Sequence, residues 1–448
     1  MSKSKTKTGQ VKRISQLPVI NPNVAGIDVS DTEMMVAFPI STEQLEVRPF
    51  GCFTRDLYAI ARCLKEFGIT SIAMESTGVY WVSLFLLLQE QGFEVLLVNA
   101  KHVKNVTGRK NDESDAEWIQ KLHSCGLLRG SFQPDNLTRT LRSMVRHRSN
   151  LVRTAATYLN RMQKALELMN IKLHTIISDI DGKTGTLIVE AILAGERDPE
   201  VLADMRDSRI KASREDIIKS LEGYWTREHL FALRQCYDLF CYHNQKIRQV
   251  DLEIEQILKE QIASMNEGVL PEIPKVKRKV SNKNRVSFNL TSCQKMLLGV
   301  DVTEVCGISE LSTLTIMSET GTDMTKWKTA HHFTSWLGLA PNTKISGGQV
   351  ISSRIARKKH HAGQAFRTAA NGLYNSKSPL GDYYRRLRAK AGAPKAVVAT
   401  ARKLAIIYYK MVVDKQAFNP SALVDYQEKY KQKKINQLKH NIAKLEAA

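Results

Sequence analysis

Four carboxylates are spaced so that they can act together. Asp28 lies in the apolar run "NVAGIDVS", Glu75 closes "SIAME", and Asp112 and Asp115 stand three apart in "GRKNDESDAEWIQKL". An Asp inside an apolar strand is costly unless it is paired or binds a cation. Strand alternation sets Asp28 on the face opposite Ile27 and Val29. Asp112 and Asp115 at helical spacing share one face. Ile119 and Leu122 continue that stripe, so it is expected to be buried, with Glu113 and Glu117 solvated or facing the helix N-terminus. Four carboxylates brought together repel one another, and hard divalent cations held by oxygen ligands relieve the repulsion. Two such ions can clamp the attacking and leaving oxygens of a phosphodiester. Each acid alone reads more readily as surface charge or a helix cap; the set of four carries the argument. Lys101, His102, Lys104, Arg109 and Lys110, just ahead, would hold phosphates or simply balance charge.

The elements around these acids give a fold. "NVAGIDVS", "EMMVAFPI" and "QLEVRPFGCF" read as strands with short polar joints. "TRDLYAIARCLKEFG" is a helix stopped by Gly68, "ITSIAMEST" a strand, "VYWVSLFLLLQEQG" a helix closed by Gly92, and "FEVLLVNA" a fifth strand. Three short-linked strands form an antiparallel meander, and the helix-separated ones run parallel. That mixed five-stranded sheet with flanking helices is the ribonuclease-H-like arrangement, and it places Glu75 at a carboxyl strand edge, where parallel sheets bind ligands.

The rest of the chain is expected to be mostly helical. Residues 135–175 read as one long helix, with Arg139, Arg142, Arg146, Arg148, Arg153 and Arg161 covering the side away from its apolar stripe. Short helices follow over 186–222. A second long helix covers 226–262, whose 4–3 spacing (Leu233, Tyr237, Phe240, Asn244, Ile247, Asp251, Ile254, Leu258) fits either packing within one subunit or a dimer seam with polar interruptions. The expected organisation is a disordered basic tail (1–17), the sheet domain (18–133), a helical or coiled-coil region (134–270), a basic linker (271–289), a mostly helical unit (290–415) and a basic tail helix (416–448).

The 448 residues carry a net charge of +21, which makes a polyanion, nucleic acid first, the natural partner. Seven scattered cysteines without metal-knuckle spacing suit a reducing cytoplasm. No apolar segment is long enough to span a bilayer, and the polar, basic N-terminus is no secretory signal.

"GIDVS", "AMESTGVYW" and "NDESDAEWIQKL" resemble, in order, the three blocks of the DEDD transposases of bacterial insertion sequences, the insertion-sequence 110 family. "VCGISELSTLTIMSETG", "FTSWLGLAPNTKISGGQV" and "GQAFRTAANGL" resemble that family's C-terminal transposase domain. The resemblance implies a RuvC-like (Holliday-junction resolvase) fold for the first domain and a Mg2+-binding role for Asp28, Glu75, Asp112 and Asp115. It implies that Ser346, in "SGG", attacks DNA, and that strand exchange passes through a Holliday junction. It further implies donor and target DNA, a structured non-coding bridge RNA as guide, a dimer or tetramer, and a bacterial, cytoplasmic, nucleoid-associated protein.

Around Ser346, Gly347 and Gly348 would let a phosphate approach the backbone, and Lys344, Arg354, Arg357, Lys358 and Lys359 would offset its charge. Gly307 would sit in a helix-hairpin-helix turn offering N–H groups to a phosphate. Ser352 and Ser353 are rival nucleophiles, and the carboxylate group, from the same or another subunit, is the expected activator. The sequence departs from the family at "HHAGQ" (360–364), where Lys-Arg-Gly-Asn is usual, although Gly363 and Arg367, the latter a candidate phosphate contact, keep the spacing. Cys306-Gly307-Ile308-Ser309 likewise replaces Pro-Gly-Ile-Gly. Two alternatives remain at this stage: a metal-dependent junction resolvase or nuclease in which Ser346 is structural, and a nucleic-acid-binding protein without catalysis.

Overall fold

The computed structural model describes residues 10–13, 18–99, 103, 114–274, 284–355, 360–421 and eight residues between 428 and 442. The chain divides into two units, Met1–Gln133 and Pro134–Ala448.

In the first unit β2 (Val24–Val29), β3 (Met34–Pro39) and β4 (Gln44–Phe50) form an antiparallel meander, and β5 (Ser71–Glu75) and β6 (Glu94–Val98) extend the sheet in parallel from β2. Connection length decides direction. Short links allow antiparallel return, whereas α1 (Thr54–Glu66) and α2 (Trp81–Glu90) fill the crossovers before β5 and β6. A sixth strand, β1 (Gln10–Arg13), pairs antiparallel with β4. It lies within the stretch expected to be a disordered tail; the outer edge of β4 supplies the unpaired backbone groups that recruit it. The order is β1-β4-β3-β2-β5-β6.

Alternation sorts the two faces. Ala25, Ile27, Val29, Ile72 and Met74 pack with Leu57, Ile60, Leu64, Leu84 and Leu88 of α1 and α2. The opposite face, with Ala37, Val47 and Ala73, is covered by α3 (Asp115–Ser124) through Ala116, Trp118, Ile119 and Leu122.

Among its described residues the second unit is helical apart from one hairpin and an isolated bridge between Pro341 and Ile355. α4 (Asn136–Leu168) runs to a cap of short helices, α5 (Leu173–Ile176), α6 (Lys183–Ala194), α7 (Pro199–Asp204) and α8 (Arg214–Leu221), and the chain returns along α9 (Arg227–Met265). α4 and α9 are antiparallel, as the Arg148–Asp251 ion pair and the Tyr158–His243 stack require. The 4–3 stripe of α9 is thus spent on packing within the chain, burying Leu233, Ile247, Ile254 and Leu258. Arg148, expected on the surface with its neighbours, is buried, and its Nε donates to Asp251 Oδ1 at 2.5 Å. That pair explains the polar residue in the seam.

Beyond α9 come α10 (Leu290–Leu298), α11 (Glu310–Thr320), α12 (Ala330–Trp336), the hairpin β7 (Lys344–Ser346) and β8 (Gln349–Ser352), α13 (His361–Gly372), α14 (Pro379–Ala391) and α15 (Ala393–Asp414). Phe333, Phe366, Tyr408 and Tyr409 form their aromatic core. Arg142 and Arg146 of α4 grip the buried Glu319 of α11. The expected linker is anchored at its described ends: Val286 and Phe288 are buried, and the Pro274 carbonyl accepts from Asn289 and Ser292. No helix among the described residues is long and apolar enough to cross a membrane.

Candidate active site

Asp28 and Glu75 come together through strand register. β2 and β5 are parallel with Ile27 opposite Met74, so the next step along both strands sets Asp28 beside Glu75. Register partners project to the same face from strands about 4.8 Å apart. That face is the one covered by α3. Glu75 is the last residue of β5 and is 9% exposed, and Thr77 Oγ1 donates to its Oε1 at 3.3 Å. Two oxygen-donor side chains thus sit at the carboxyl edge of a parallel strand pair.

α3 lies antiparallel to β2, which aims its N-terminus at that same edge. Its C-terminal end is tied to the amino ends of the strands: the Ser124 carbonyl accepts from the Ile20 and Asn21 nitrogens, and Gln120 Nε2 donates to the Val24 carbonyl. His123 Nε2 lies 2.9 Å from Ser71 Oγ at the start of β5, and burial holds the imidazole pKa below its usual value. In the middle, the helix backbone rests on Gly26. A Cβ there would lie 2.3 Å from the Gln120 nitrogen and 2.4 Å from the Ala116 carbonyl oxygen. Asp115, the first residue of α3, is therefore carried to the end of the sheet that holds Asp28 and Glu75.

The structure differs from expectation at the start of this helix. Ser114 is its N-cap, with extended backbone angles, and a capping box closes the end: Ser114 Oγ accepts from the Glu117 nitrogen while Glu117 Oε2 accepts from the Ser114 nitrogen at 2.6 Å. The helix thus carries Asp115 alone. Asp112 lies outside the described residues, as do Lys101, His102, Lys104, Arg109, Lys110 and Glu113. Glu117, expected to be solvated or to serve the helix N-terminus, does the latter while 6% exposed.

Among the described residues no three His, Cys, Asp or Glu side chains gather as a metal-holding group. The Asp28–Glu75 pair has the donor chemistry that hard divalent cations select, oxygen only, on rigid strands. The four-carboxylate set expected from the sequence also includes Asp112, which lies outside the described residues.

Ser346 ends β7 in the second unit and faces Gln349 across the hairpin. Gly347 (φ 56°) and Gly348 (φ 77°) form the two-residue turn, and nothing lies within 4 Å of a Cβ at either. Positive φ at both central positions is the primed turn that suits a two-residue hairpin, so backbone conformation accounts for both glycines. Lys344 pairs with Ser352, whose Oγ accepts from the Arg354 nitrogen, and the Arg354 carbonyl accepts from Asn342. Ser353 follows directly. Arg357, Lys358 and Lys359 lie outside the described residues.

Gly363 and Arg367, one turn apart on α13, share a packing task. A Cβ on Gly363 would meet the Leu337 carbonyl at 2.4 Å, and Arg367 Nη2 donates to the Gly338 carbonyl at 2.8 Å. That Arg367 donor is thus committed within the protein. Gly307 (φ 95°) turns the chain into α11 at the surface, against the Ala369 carbonyl. Sequence reasoning passes over Thr77 and the packing role of Gly26, although "AGID" and "ESTG" place both within two residues of an acid.

Two family models match parts of the chain. Residues 25–171 match the model of a transposase family, the DEDD transposases of the IS110 type. Residues 301–385 match a second model, described as the transposase IS116/IS110/IS902 family. No curated protein matches the chain.

Proposed function

Because this chain belongs to the IS110 family of DEDD transposases, enzymes that act on DNA, we propose that it is the recombinase of an insertion sequence, cutting and rejoining strands through Ser346 with Mg2+ held by Asp28, Glu75, Asp112 and Asp115. The observation that carries this reading is the side-by-side position of Asp28 and Glu75 at a carboxyl strand edge, beneath a helix that directs Asp115 there.

Asp28, Glu75, Asp112 and Asp115 would hold the cations, which when bound would supply charge stabilisation to the phosphoryl group and the departing oxygen. Ser346 supplies the nucleophile. Its Oγ forms a bond to phosphorus as the P–O bond to the departing strand breaks, and the serine proton ends on the departing hydroxyl. The covalent link conserves the phosphodiester, so a different strand end can attack it, restoring the serine and joining new partners. Lys344, Arg354, Arg357 and Lys358 offset phosphate charge around the hairpin, and the Gly307 turn and the Gly347–Gly348 backbone offer N–H groups to the DNA backbone. A structured non-coding RNA pairing with donor and target DNA supplies sequence choice, and a net charge of +21 suits a protein that holds two nucleic acids. The working form is a dimer or tetramer.

The test is strand cleavage of DNA carrying the element's ends, in Mg2+, by wild type, Asp28→Asn and Glu75→Gln. Both variants are expected to bind DNA and to lose cleavage. Cleavage at the wild-type rate in either one contradicts the reading.

A further inference from the structure

The hairpin that carries Ser346 has a second face. Ile345 and Val350 are register partners, one step from the Ser346–Gln349 pair, so they project together to the side opposite Ser346. They are 63% and 60% exposed, and Ile351 is 69% exposed. Ile351 is an extra residue in β8, since Ile345 pairs with Val350 but Lys344 with Ser352. Such a bulge bends a strand and re-aims its side chains. Three branched apolar side chains on a two-stranded arm are an unusual exposure for a water-facing element; solvent-facing strands normally carry charge there.

The charge along this stretch of chain narrows the partner. Residues 324–381 contain no Asp or Glu and nine Lys or Arg. What covers this arm is therefore anionic and yet has apolar surface to offer. Nucleic acid has both, with phosphates outside and base faces within, and a two-stranded ribbon is narrow enough to enter a DNA groove. Apolar side chains can lodge at a base step and part its stacking.

We propose that Ile345 and Val350 rest against bases of an opened DNA step while Ser346, on the other face of the ribbon, meets the neighbouring phosphate. This rests on the reading of DNA as substrate and Ser346 as nucleophile. Ile345 and Val350 are positioning residues: they hold the step open and do no chemistry.

The test uses the full-length protein with the element's non-coding RNA and a DNA carrying 2-aminopurine at the mapped cleavage step. Wild type is expected to raise the 2-aminopurine fluorescence on binding, and Ile345→Ser/Val350→Ser to lose most of that rise. Without side chains to hold the step open, the double variant should cleave paired DNA roughly tenfold more slowly or worse. The same DNA with two unpaired bases at the step should restore its rate. Ser346→Ala should keep the fluorescence rise and lose cleavage on both DNAs, so failure of the nucleophile reading is seen separately. An unchanged fluorescence rise in the double variant, or equal loss on paired and unpaired DNA, overturns the proposal. So does a change in particle mass by light scattering in the double variant, which would give the face to a second copy of the chain.

Discussion

The backbone of Gln120 crosses Gly26 so closely that a methyl group on Gly26 would lie 2.3 Å from the Gln120 nitrogen. This contact sets the depth of α3 on the sheet, and thereby the height of Asp115 above Asp28 and Glu75. The obstructing atoms are helix backbone, which cannot swing aside. Gly26→Ala should cost at least about 1–3 kcal/mol of stability and displace the first turn of α3. An ångström of misplacement can cost roughly a hundredfold in rate, so strand cleavage should fall far more than folded protein does. Circular dichroism beside a cleavage assay checks this; wild-type cleavage in Gly26→Ala would contradict it.

The Arg148–Asp251 pair joins the two long helices while both side chains are buried. Removing one partner leaves an uncompensated charge, and Asp251→Ala should destabilise the second unit by about 3–5 kcal/mol. Replacing both, as Arg148→Met/Asp251→Leu, should recover most of that loss. Guanidinium unfolding of the three proteins reads this directly; a double variant as unstable as the single one would refute it.

The hairpin turn makes a finer distinction. Gly347 has φ 56° and Gly348 φ 77°, and Asn followed by Gly is a favoured pair for such a turn. Gly347→Asn should keep most of the cleavage activity. Gly347→Val, whose branched side chain resists positive φ, should distort the arm that presents Ser346 and lower cleavage at least severalfold. Equal activity in both variants would show that the turn conformation does not matter.

How far the sequence reveals these arrangements depends on how local the cause is. The strand directions and the sheet positions of Asp28 and Glu75 follow from alternation and from helices between parallel strands, and both can be read along the chain; the order of the strands in the sheet comes from the structure. The start of α3 is also local, because Ser114-x-x-Glu117 is a capping box, yet the spacing of Asp112 and Asp115 invites extending the helix past it. Arg148 is different. Its burial depends on Asp251, more than a hundred residues away, and an Arg on a long helix looks solvated until its partner is placed. β1 is a four-residue strand with three polar residues (Gln10, Lys12, Arg13) whose pairing is decided by the open edge of β4. The two glycines after Ser346 signal a turn, and their positive φ values show that the turn itself requires them.

His360, ahead of α13, packs edge-on against Trp336 with centroids 4.0 Å apart, and its Nδ1 has no hydrogen-bond partner among the described residues. Burial pushes its pKa down from 6.5 to about 4, with Arg142 and Arg146 adding to the effect and Glu319 opposing it. Between those values the unfolded chain binds the proton and the folded one does not. The contribution of this group is therefore full above pH 6.5 and is lost as pH falls toward about 4. The melting temperature of wild type relative to His360→Gln should be higher at pH 7.5 than at pH 5. A difference independent of pH would show that His360 does not titrate in this way.

Chemistry at Ser346 is the central claim, and trapping its product tests it most directly. End-labelled DNA is incubated with full-length protein, guide RNA and Mg2+, and the products are run on a denaturing gel. Wild type should give a slowly migrating protein–DNA adduct whose peptide maps to Ser346, and Ser346→Ala should give neither adduct nor cleaved strand. Mg2+-dependent cleavage by Ser346→Ala at the wild-type rate, with no adduct from either protein, would contradict the account and leave a nuclease that works through its carboxylates alone.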